Sequence, residues 1–213
     1  MDVMDVYKKL EKAAIVPVLV IDQAEKAVPT CEALVRGGIR CVEITYRTTA
    51  APEAMRMVRK EFPEILLGAG TVLNKTQIDD AMDAGADFVV SPGFVKENVE
   101  YGLKKGATMI PGCITPGEIE QAMKLGIKVV KFFPAVSFGG VEVLNLIGNV
   151  YGDLKFMPTG GINYENMQEF LRCPYVVATG GIWMATRQMI NEDAYEEITR
   201  IAKLSVIRKE EIR

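Results

Sequence analysis

Short apolar runs rich in valine and isoleucine alternate with amphipathic stretches along the whole of this chain. Eight such runs occur, and they are Ala14–Ile21, Ile39–Thr45, Ile65–Gly70, Asp87–Ser91, Ala107–Gly112, Lys128–Phe133, Leu154–Pro158 and Tyr175–Thr179. Their apolar residues follow one another directly instead of alternating with polar ones. This pattern is typical of parallel strands that are buried on both faces, and it predicts eight successive βα units.

Eight units in 213 residues, spaced by roughly 25 residues, favour a closed (β/α)8 barrel in a single domain over residues 1–213. An extra N-terminal helix is predicted over Asp2–Lys12, covering the bottom of the barrel. The alternative is an open doubly wound sheet. Its usual G-x-G-x-x-G fingerprint is missing, since Gly68-Ala-Gly-Thr-Val-Leu73 lacks the third glycine and follows the third run instead of the first.

Helix starts are indicated at three positions by residues with the spacing of a capping box. The pairs are Asp22 with Glu25, Asn74 with Gln77, and Thr115 with Glu118. In such a pair the first side chain accepts a hydrogen bond from the backbone of the first turn. Each pair therefore predicts where a helix begins.

The chain contains no histidine, which restricts the chemistry available to it. Histidine is the commonest general base and a common zinc ligand, so a Ser-His-Asp or Cys-His hydrolase and a His-ligated metal-dependent aldolase are excluded. Any reaction must use Lys, Glu, Asp, Cys, Tyr or backbone groups. We expect no metal and no cofactor.

Charge and hydropathy argue against nucleic-acid and membrane partners. The net charge is −3 and no Lys/Arg-rich run occurs, whereas nucleic-acid surfaces are strongly basic. No apolar stretch reaches the roughly 20 residues that span a membrane, and the N-terminus lacks the apolar core of a secretory signal. The four scattered cysteines form no C-x-x-C pair, which predicts reduced thiols and a cytoplasmic protein.

Charged residues within the apolar runs fall into two groups. Most stand at or near strand beginnings, where they can reach solvent at the bottom of a barrel: Arg40, Glu64, Asp87, Lys128, Asp153 and Lys155. Glu43 and Lys131 instead lie late in the second and sixth runs. Active sites of (β/α)8 barrels lie at the C-terminal ends of the strands, so these two residues are candidates for catalysis.

Lys131 has apolar neighbours on both sides, in Val129-Val-Lys-Phe-Phe-Pro134. Burying an unpaired ammonium group costs several kcal/mol unless the group loses its proton. A neutral amine can attack a ketone and form an imine, which withdraws electrons from the neighbouring carbon. The alternative is a lysine that reaches solvent or pairs with a helix carboxylate.

Glu43 lies in Cys41-Val-Glu-Ile-Thr-Tyr-Arg47. Strands two and six are opposite each other in an eight-stranded barrel, so Glu43 and Lys131 are predicted to face one shared cavity. There the acid could move protons around an imine; a structural ion pair is the alternative. Arg47 follows the strand and could bind a substrate carboxylate through two hydrogen bonds, although alone it would be an ordinary surface arginine.

Glycine-containing turns follow five of the runs. They are Gly68-Ala-Gly-Thr71, Ser91-Pro-Gly93, Pro111-Gly-Cys113, Pro158-Thr-Gly-Gly161 and Thr179-Gly-Gly181. Glycine lets backbone N–H groups approach a ligand closely, and the last two turns occupy the usual phosphate position of a (β/α)8 barrel. The turns therefore predict a site for a small anionic ligand.

Seven motifs together resemble the 2-keto-3-deoxy-6-phosphogluconate (KDPG) and 4-hydroxy-2-oxoglutarate (KHG) aldolases in order and spacing. They are Val42-Glu-Ile-Thr-Tyr-Arg-Thr48, Gly68-Ala-Gly-Thr-Val-Leu-Asn74, Ser91-Pro-Gly93, Ile110-Pro-Gly112, Lys131-Phe-Phe-Pro-Ala135, Pro158-Thr-Gly-Gly-Ile162, and Gly180-Gly181 followed by Trp183. The resemblance runs from about Pro17 to Trp183. It implies a class I aldolase, usually a homotrimer, that releases pyruvate from a small 2-keto acid.

The resemblance also implies roles for individual residues. Lys131 would form the Schiff base and Glu43 would transfer protons, through a water molecule. The implied substrate-binding residues are Arg47 and Thr71 for the pyruvate carboxylate, Pro92 and Phe133 for the pocket wall, Thr159 for KDPG-type substrates, and Gly160, Gly161 and Gly181 for the phosphate.

Ile182 is a departure from the family pattern, which has a serine after the two glycines. Without that hydroxyl, phosphate binding should weaken by about 1–2 kcal/mol, roughly tenfold. The pyruvate end of the substrate is unaffected by this change, whereas a shorter, unphosphorylated 2-keto acid such as KHG becomes a candidate. Two further functions stay open: imine-dependent decarboxylation of a 2-keto dicarboxylate such as oxaloacetate, and non-catalytic binding of a sugar acid.

Overall fold

The computed structural model describes residues 3–212 as an α/β fold with a curled parallel sheet. The strands are β1 Ile15–Leu19, β2 Cys41–Thr45, β3 Leu66–Gly70, β4 Phe88–Val90, β5 Met109–Ile110, β6 Val129–Phe132, β7 Lys155–Pro158 and β8 Thr179–Gly181. The helices are α1 Val3–Ala13, α2 Ala27–Arg36, α3 Ala51–Glu61, α4 Lys75–Asp83, α5 Lys96–Lys104, α6 Pro116–Lys124, α7 Gly140–Val150, α8 Met167–Arg172, α9 Arg187–Asn191 and α10 Tyr195–Glu210, with a short 3-10 helix at Ala24–Lys26.

The eight strands form two parallel ladders. Six of them pair in the order β5-β4-β3-β2-β1-β8, and β6 pairs with β7. Isolated bridges connect the ladders, between Gly112 and Lys131 on one side and between Thr159 and Gly180 on the other. The alternation of parallel strands and helices predicted from the apolar runs is therefore confirmed.

The last strand lies further along the chain than its apolar run predicts. Tyr175–Thr179 was the predicted strand, but β8 is Thr179–Gly181 and pairs with β1 there. Val176 and Val177 contact β7 instead, through a bridge to Phe156 and a hydrogen bond from the Val177 N–H to the Phe156 carbonyl. The prediction was wrong by several residues because glycines carry no side chain, so the apolar signal ends before the strand begins.

Two of the three predicted helix caps are present. Asn74 accepts a hydrogen bond from the Gln77 N–H, and Thr115 forms a full capping box with Glu118. The prediction for Asp22 was wrong, since its carboxylate binds the side chains of Arg187 and Asn191. A charged guanidinium is a stronger donor than a backbone N–H, which explains why Asp22 binds Arg187 instead of capping a helix.

The predicted N-terminal helix is present as α1, while Asp2, its predicted first residue, lies outside the described residues. Val6, Tyr7 and Leu10 are buried against apolar side chains that belong to the strands.

Of the charges predicted to be solvated at strand beginnings, Asp87 is an exception, because it is held in a 2.6 Å ion pair by Arg59. The same oxygen, Oδ2 of Asp87, also accepts a hydrogen bond from the Leu67 N–H, at 2.9 Å.

All four cysteines, Cys31, Cys41, Cys113 and Cys173, are free and buried. Within residues 3–212, no helix has both the length and the apolar character needed to cross a bilayer.

Candidate active site

Glu43 and Lys131 approach each other from β2 and β6. The Lys131 Nζ lies 3.5 Å from the Glu43 Oε1. Glu43 is fully buried and Lys131 is 4% exposed. The lysine therefore does not extend into bulk solvent, and its carboxylate partner comes from a strand instead of a helix. The two residues face one another as the sequence predicted.

The position of Glu43 depends on a glycine in the neighbouring strand. β2 and β3 pair in register from Cys41 with Leu66 to Thr45 with Gly70. A Cβ atom at Gly70 would lie 2.1 Å from the Glu43 Oε1, well inside van der Waals contact. The carboxylate therefore rests directly against backbone that has no side chain.

The Glu43 carboxylate is held mainly by the charge of Lys131. Neither of its oxygens accepts a hydrogen bond from any residue in the described part of the chain. The Lys131 Nζ also lies 5.4 Å from the centre of the Phe133 ring, within cation–π range. A buried carboxylate without donors is unfavourable unless a cation or a bound molecule satisfies it, so the pair is well suited to exchanging protons with a ligand.

Other potential nucleophiles near the strands are poorly suited to the role. Burial, and then the charges of Glu43 and Asp87, raise the pKa of the Cys41 thiol well above its usual value. Burial and the nearby Glu118 raise the pKa of Cys113 to about 12. Thiolates are the reactive form of cysteine, so Lys131 is the better-placed nucleophile.

A cavity of about 300 Å³ opens at Lys131, while Glu43, which was also predicted to face it, is fully buried and is not among its lining residues. Its lining contains Lys131 and all nine residues that the sequence predicted for substrate binding: Arg47, Thr71, Pro92, Phe133, Thr159, Gly160, Gly161, Gly181 and Ile182. Val18 and Ile162 complete the lining and were not predicted. Val18 is paired with Glu43 in the ladder of β1 and β2, a register that the sequence pattern alone does not reveal.

Arg47 and Thr71 lie together on one wall of the cavity. The Arg47 Nε is 3.4 Å from the Thr71 Oγ1. Thr71 has a φ of 56°, a left-handed conformation that is unfavourable for a β-branched residue. Such strain is often retained at functional sites, and here it brings a hydroxyl next to a guanidinium.

The turn after β7 supplies backbone donors to the cavity. Gly160 and Gly161 have φ values of 96° and 78°, which favour glycine. Among residues 3–212, the N–H groups of Gly160, Gly161 and Ile162 donate no hydrogen bond. The Thr159 Oγ1 is buried and also has no partner there. These polar groups are available to a ligand.

Ile182 lies at the mouth of the cavity, and its side chain is 54% exposed. It follows Gly181, where a Cβ atom would overlap the Trp183 ring at 1.8 Å. The close packing of that ring explains the glycine.

Within the described residues, no cluster of three or more Cys, Asp or Glu side chains could hold a metal ion.

The amino-acid sequence matches a family model described as KDPG and KHG aldolase over residues 6–201. A 2-dehydro-3-deoxy-phosphogluconate aldolase from Treponema pallidum (strain Nichols) is 42% identical over 198 residues, which are 93% of this chain and 94% of the relative. The KHG/KDPG aldolase of Escherichia coli (strain K12) is 39% identical over 197 residues, 92% of each chain.

A solved structure also resembles this chain closely. It is the KDPG aldolase from Legionella pneumophila, with pyruvate captured at low pH as a covalent carbinolamine intermediate. Its TM-score is 0.90 at 36% identity, over 95% of this chain and 97% of the other. The motifs, the fold and these matches agree, and the chain belongs to the KDPG and KHG aldolase family.

Proposed function

We propose that this protein is a class I aldolase that cleaves KDPG to pyruvate and glyceraldehyde 3-phosphate, KHG to pyruvate and glyoxylate, or both. The observation that carries the proposal is the 3.5 Å approach of the Lys131 amine to the Glu43 carboxylate beneath a cavity. An amine, an acid and space for a small ketone are the requirements of Schiff-base chemistry. The names of the relatives and the carbinolamine of the Legionella protein support this function.

Imine formation is the first part of the reaction. The neutral Lys131 amine attacks the C2 carbonyl carbon of the substrate, and the carbonyl oxygen takes up a proton to give a carbinolamine. Loss of this hydroxyl as water leaves a protonated imine. Before the attack, Glu43 is placed to take one proton from the Lys131 ammonium group. The attacking nitrogen then supplies the proton that makes the carbinolamine hydroxyl, and Glu43 returns the first proton to this hydroxyl as it leaves as water, directly or through a water molecule.

Cleavage uses the imine to accept electrons. A base removes the proton of the C4 hydroxyl, the C3–C4 bond breaks, and its electron pair moves through C3 to neutralise the iminium nitrogen. The products are an aldehyde and the enamine of pyruvate. Protonation of the enamine at C3, followed by addition of water to the imine, releases pyruvate and restores Lys131. Glu43 serves as the acid and base in these proton transfers.

Arg47 and Thr71 are assigned to the carboxylate of the pyruvate fragment. A guanidinium binds a carboxylate through paired hydrogen bonds, and the Thr71 hydroxyl 3.4 Å away adds another donor. Pro92 and Phe133 form the apolar walls beside C3. Fixing this end of the substrate holds C2 within reach of the amine.

Gly160 and Gly161, with the turn at Gly181, are assigned to the far end of the substrate, and Thr159 to hydroxyl recognition. The assignment of the two glycines is supported by the backbone N–H groups of residues 160–162, which donate no hydrogen bond within residues 3–212. Because Ile182 provides no hydroxyl, we propose that a terminal phosphate is bound less tightly here than in relatives with serine. KHG is therefore retained beside KDPG as a substrate.

The test is covalent trapping with pyruvate and borohydride, which reduces the imine to a stable amine. One adduct on Lys131 is expected by peptide mass spectrometry. The variant Glu43→Gln should still form some imine while losing most turnover, since only proton transfer is removed. Lys155→Met is the matched control, because the Lys155 ammonium binds the Pro174 carbonyl outside the cavity. An unmodified Lys131, or an adduct elsewhere, would exclude the mechanism.

Steady-state rates with KDPG, KHG and oxaloacetate separate the remaining functions. Fastest turnover of oxaloacetate would indicate a decarboxylase, since loss of carbon dioxide gives the same enamine. Trapping without turnover of any substrate would indicate a binding protein. A preference for KDPG over KHG above about a hundredfold, or nearly 3 kcal/mol, would contradict the proposed effect of Ile182.

We further propose that the eight strands close into a single-domain (β/α)8 barrel. The bridges between the two ladders support this closure. A homotrimer is proposed from the resemblance to the family, and the candidate interface residues are the exposed apolar residues on and before α7, each between 44% and 72% exposed: Val136, Phe138, Leu146 and Val150. Surfaces of this kind commonly bind another protein. A cytoplasmic location stays a prediction from the sequence.

A further inference from the structure

A second, outer cavity adjoins the mouth of the active site. Its volume is about 240 Å³, and it is lined by Val18, Val20, Arg47, Ile182, Ala185 and Arg187. Val18, Arg47 and Ile182 also line the inner cavity. The two cavities are therefore adjacent, and the outer one adds a second guanidinium, that of Arg187, to the surroundings of Ile182.

Arg187 is fixed in place by the loop that follows β1. Its Nε and Nη2 donate to the two oxygens of Asp22, at 2.8 and 2.7 Å. The Asn191 side chain donates to the same carboxylate at 2.8 Å. Two parallel hydrogen bonds fix the orientation of the guanidinium. Binding a ligand therefore costs little additional side-chain entropy.

The fixed guanidinium retains donors for a ligand. No hydrogen bond within residues 3–212 uses the Arg187 Nη1. Hydrogen bonds from Arg187, and then from Asn191, lower the pKa of Asp22 to about 2, so Asp22 is ionised at neutral pH. Its negative charge offsets part of the attraction that Arg187 exerts on an anion.

We propose that Arg187 binds the terminal phosphate of longer aldehyde fragments and contributes to substrate specificity. This inference rests on the proposed aldolase function. A group attached directly to C4, such as the carboxylate of KHG, stays within the inner cavity. A phosphate carried two carbons further along the fragment extends from the glycine turns towards Ile182, so that Arg187 adds to the donors assigned at Gly160, Gly161 and Gly181. Arg187 thereby compensates in part for the hydroxyl that is missing at position 182.

Two pairs of aldehydes isolate the effect in the direction of aldol addition to pyruvate. D-Glyceraldehyde 3-phosphate and D-glyceraldehyde differ by the terminal phosphate, and glyoxylate and acetaldehyde differ by a carboxylate next to the reacting carbon. For each pair the ratio of kcat/KM measures how much the charged group contributes. The wild-type enzyme and all variants are also labelled with pyruvate and borohydride, which tests the proposed chemistry independently of the aldehyde.

For Arg187→Ala we expect the phosphate ratio to fall about tenfold, the loss expected for one charge-assisted hydrogen bond. The carboxylate ratio should stay within about twofold, because no charge-assisted hydrogen bond is lost at that position. Arg187→Gln, which keeps a donor for Asp22, replaces the alanine variant if that one does not fold.

Arg200→Ala is the matched control, because Arg200 also binds a carboxylate through Nε and Nη2, that of Glu197, and lies outside both cavities. An equal fall of the phosphate ratio in this control would overturn the proposal. So would an unchanged phosphate ratio in the Arg187 variants, or a fall confined to the carboxylate ratio. Absence of labelling in the wild-type enzyme would refute the aldolase function itself.

Discussion

Replacing Gly70 by alanine tests whether the Glu43 carboxylate needs bare backbone beside it. The new Cβ would lie 2.1 Å from the Glu43 Oε1 and 2.7 Å from its Cδ. Ordinary van der Waals contact begins near 3.4 Å. Either the backbone at position 70 or the Glu43 carboxylate must therefore move by roughly 1.3 Å. Glu43 is fully buried, which leaves little room for that movement except towards the cavity.

The expected loss has a catalytic and a structural part. A misplacement of about 1 Å in a catalytic group can lower kcat about a hundredfold. Overpacking of a buried position costs about 1–3 kcal/mol, and a chain of this size loses roughly 2–4 °C in Tm for each kcal/mol. We therefore expect Gly70→Ala to fold with a Tm lowered by roughly 2–12 °C and with kcat lowered about a hundredfold.

Two glycines provide controls for this experiment. A Cβ at Gly68 would lie 2.3 Å from the Phe88 ring, whereas one at Gly117 would contact nothing within 4 Å. Gly68→Ala should lose stability with a smaller loss of kcat, and Gly117→Ala should lose neither. Rates are to be normalised to the fraction of Lys131 that pyruvate and borohydride label. Wild-type turnover per labelled Gly70→Ala chain would refute the requirement for bare backbone beside the Glu43 carboxylate.

Two further predictions concern the mouth of the site and the surface of α7. Ile182→Ser should raise kcat/KM for KDPG relative to KHG about tenfold, as measured by release of pyruvate; an unchanged ratio would show that the residue has no part in substrate choice. Leu146→Glu should shift the protein from trimer to monomer in light scattering, because it places a charge in the proposed apolar interface; a monomeric wild-type protein, or a trimeric variant, would contradict that interface.

The pairing of Glu43 with Lys131 could be predicted from the sequence because burying a charge is costly. Glu43 and Lys131 stand out because they are charged residues within apolar strands. Since these are the second and the sixth of eight strands, the two side chains are predicted to face each other. Glycines at the ends of strands similarly identified the walls of the cavity. In each case the prediction depends on a residue type that is unusual at its position in the strand.

Other parts of the site could not be predicted because their signal depends on packing. Val18 and Ile162 have the residue types of an ordinary core, so their exposure to the cavity is not visible in the pattern. Arg187 belongs to the short helix α9 and reads as a surface arginine. Its place beside the mouth depends on contact with Asp22, 165 residues away in the chain.

The two members of the proposed catalytic pair belong to different ladders of strands. Glu43 is on β2 in the six-stranded sheet, and Lys131 is on β6 in the two-stranded one. Neither sheet alone contains an amine facing an acid, so a partly folded chain could hold most of its backbone hydrogen bonds and still be inert. Chemical competence thus arises only when both sheets have docked, and the enzyme's turnover is a stricter measure of native assembly than its content of secondary structure.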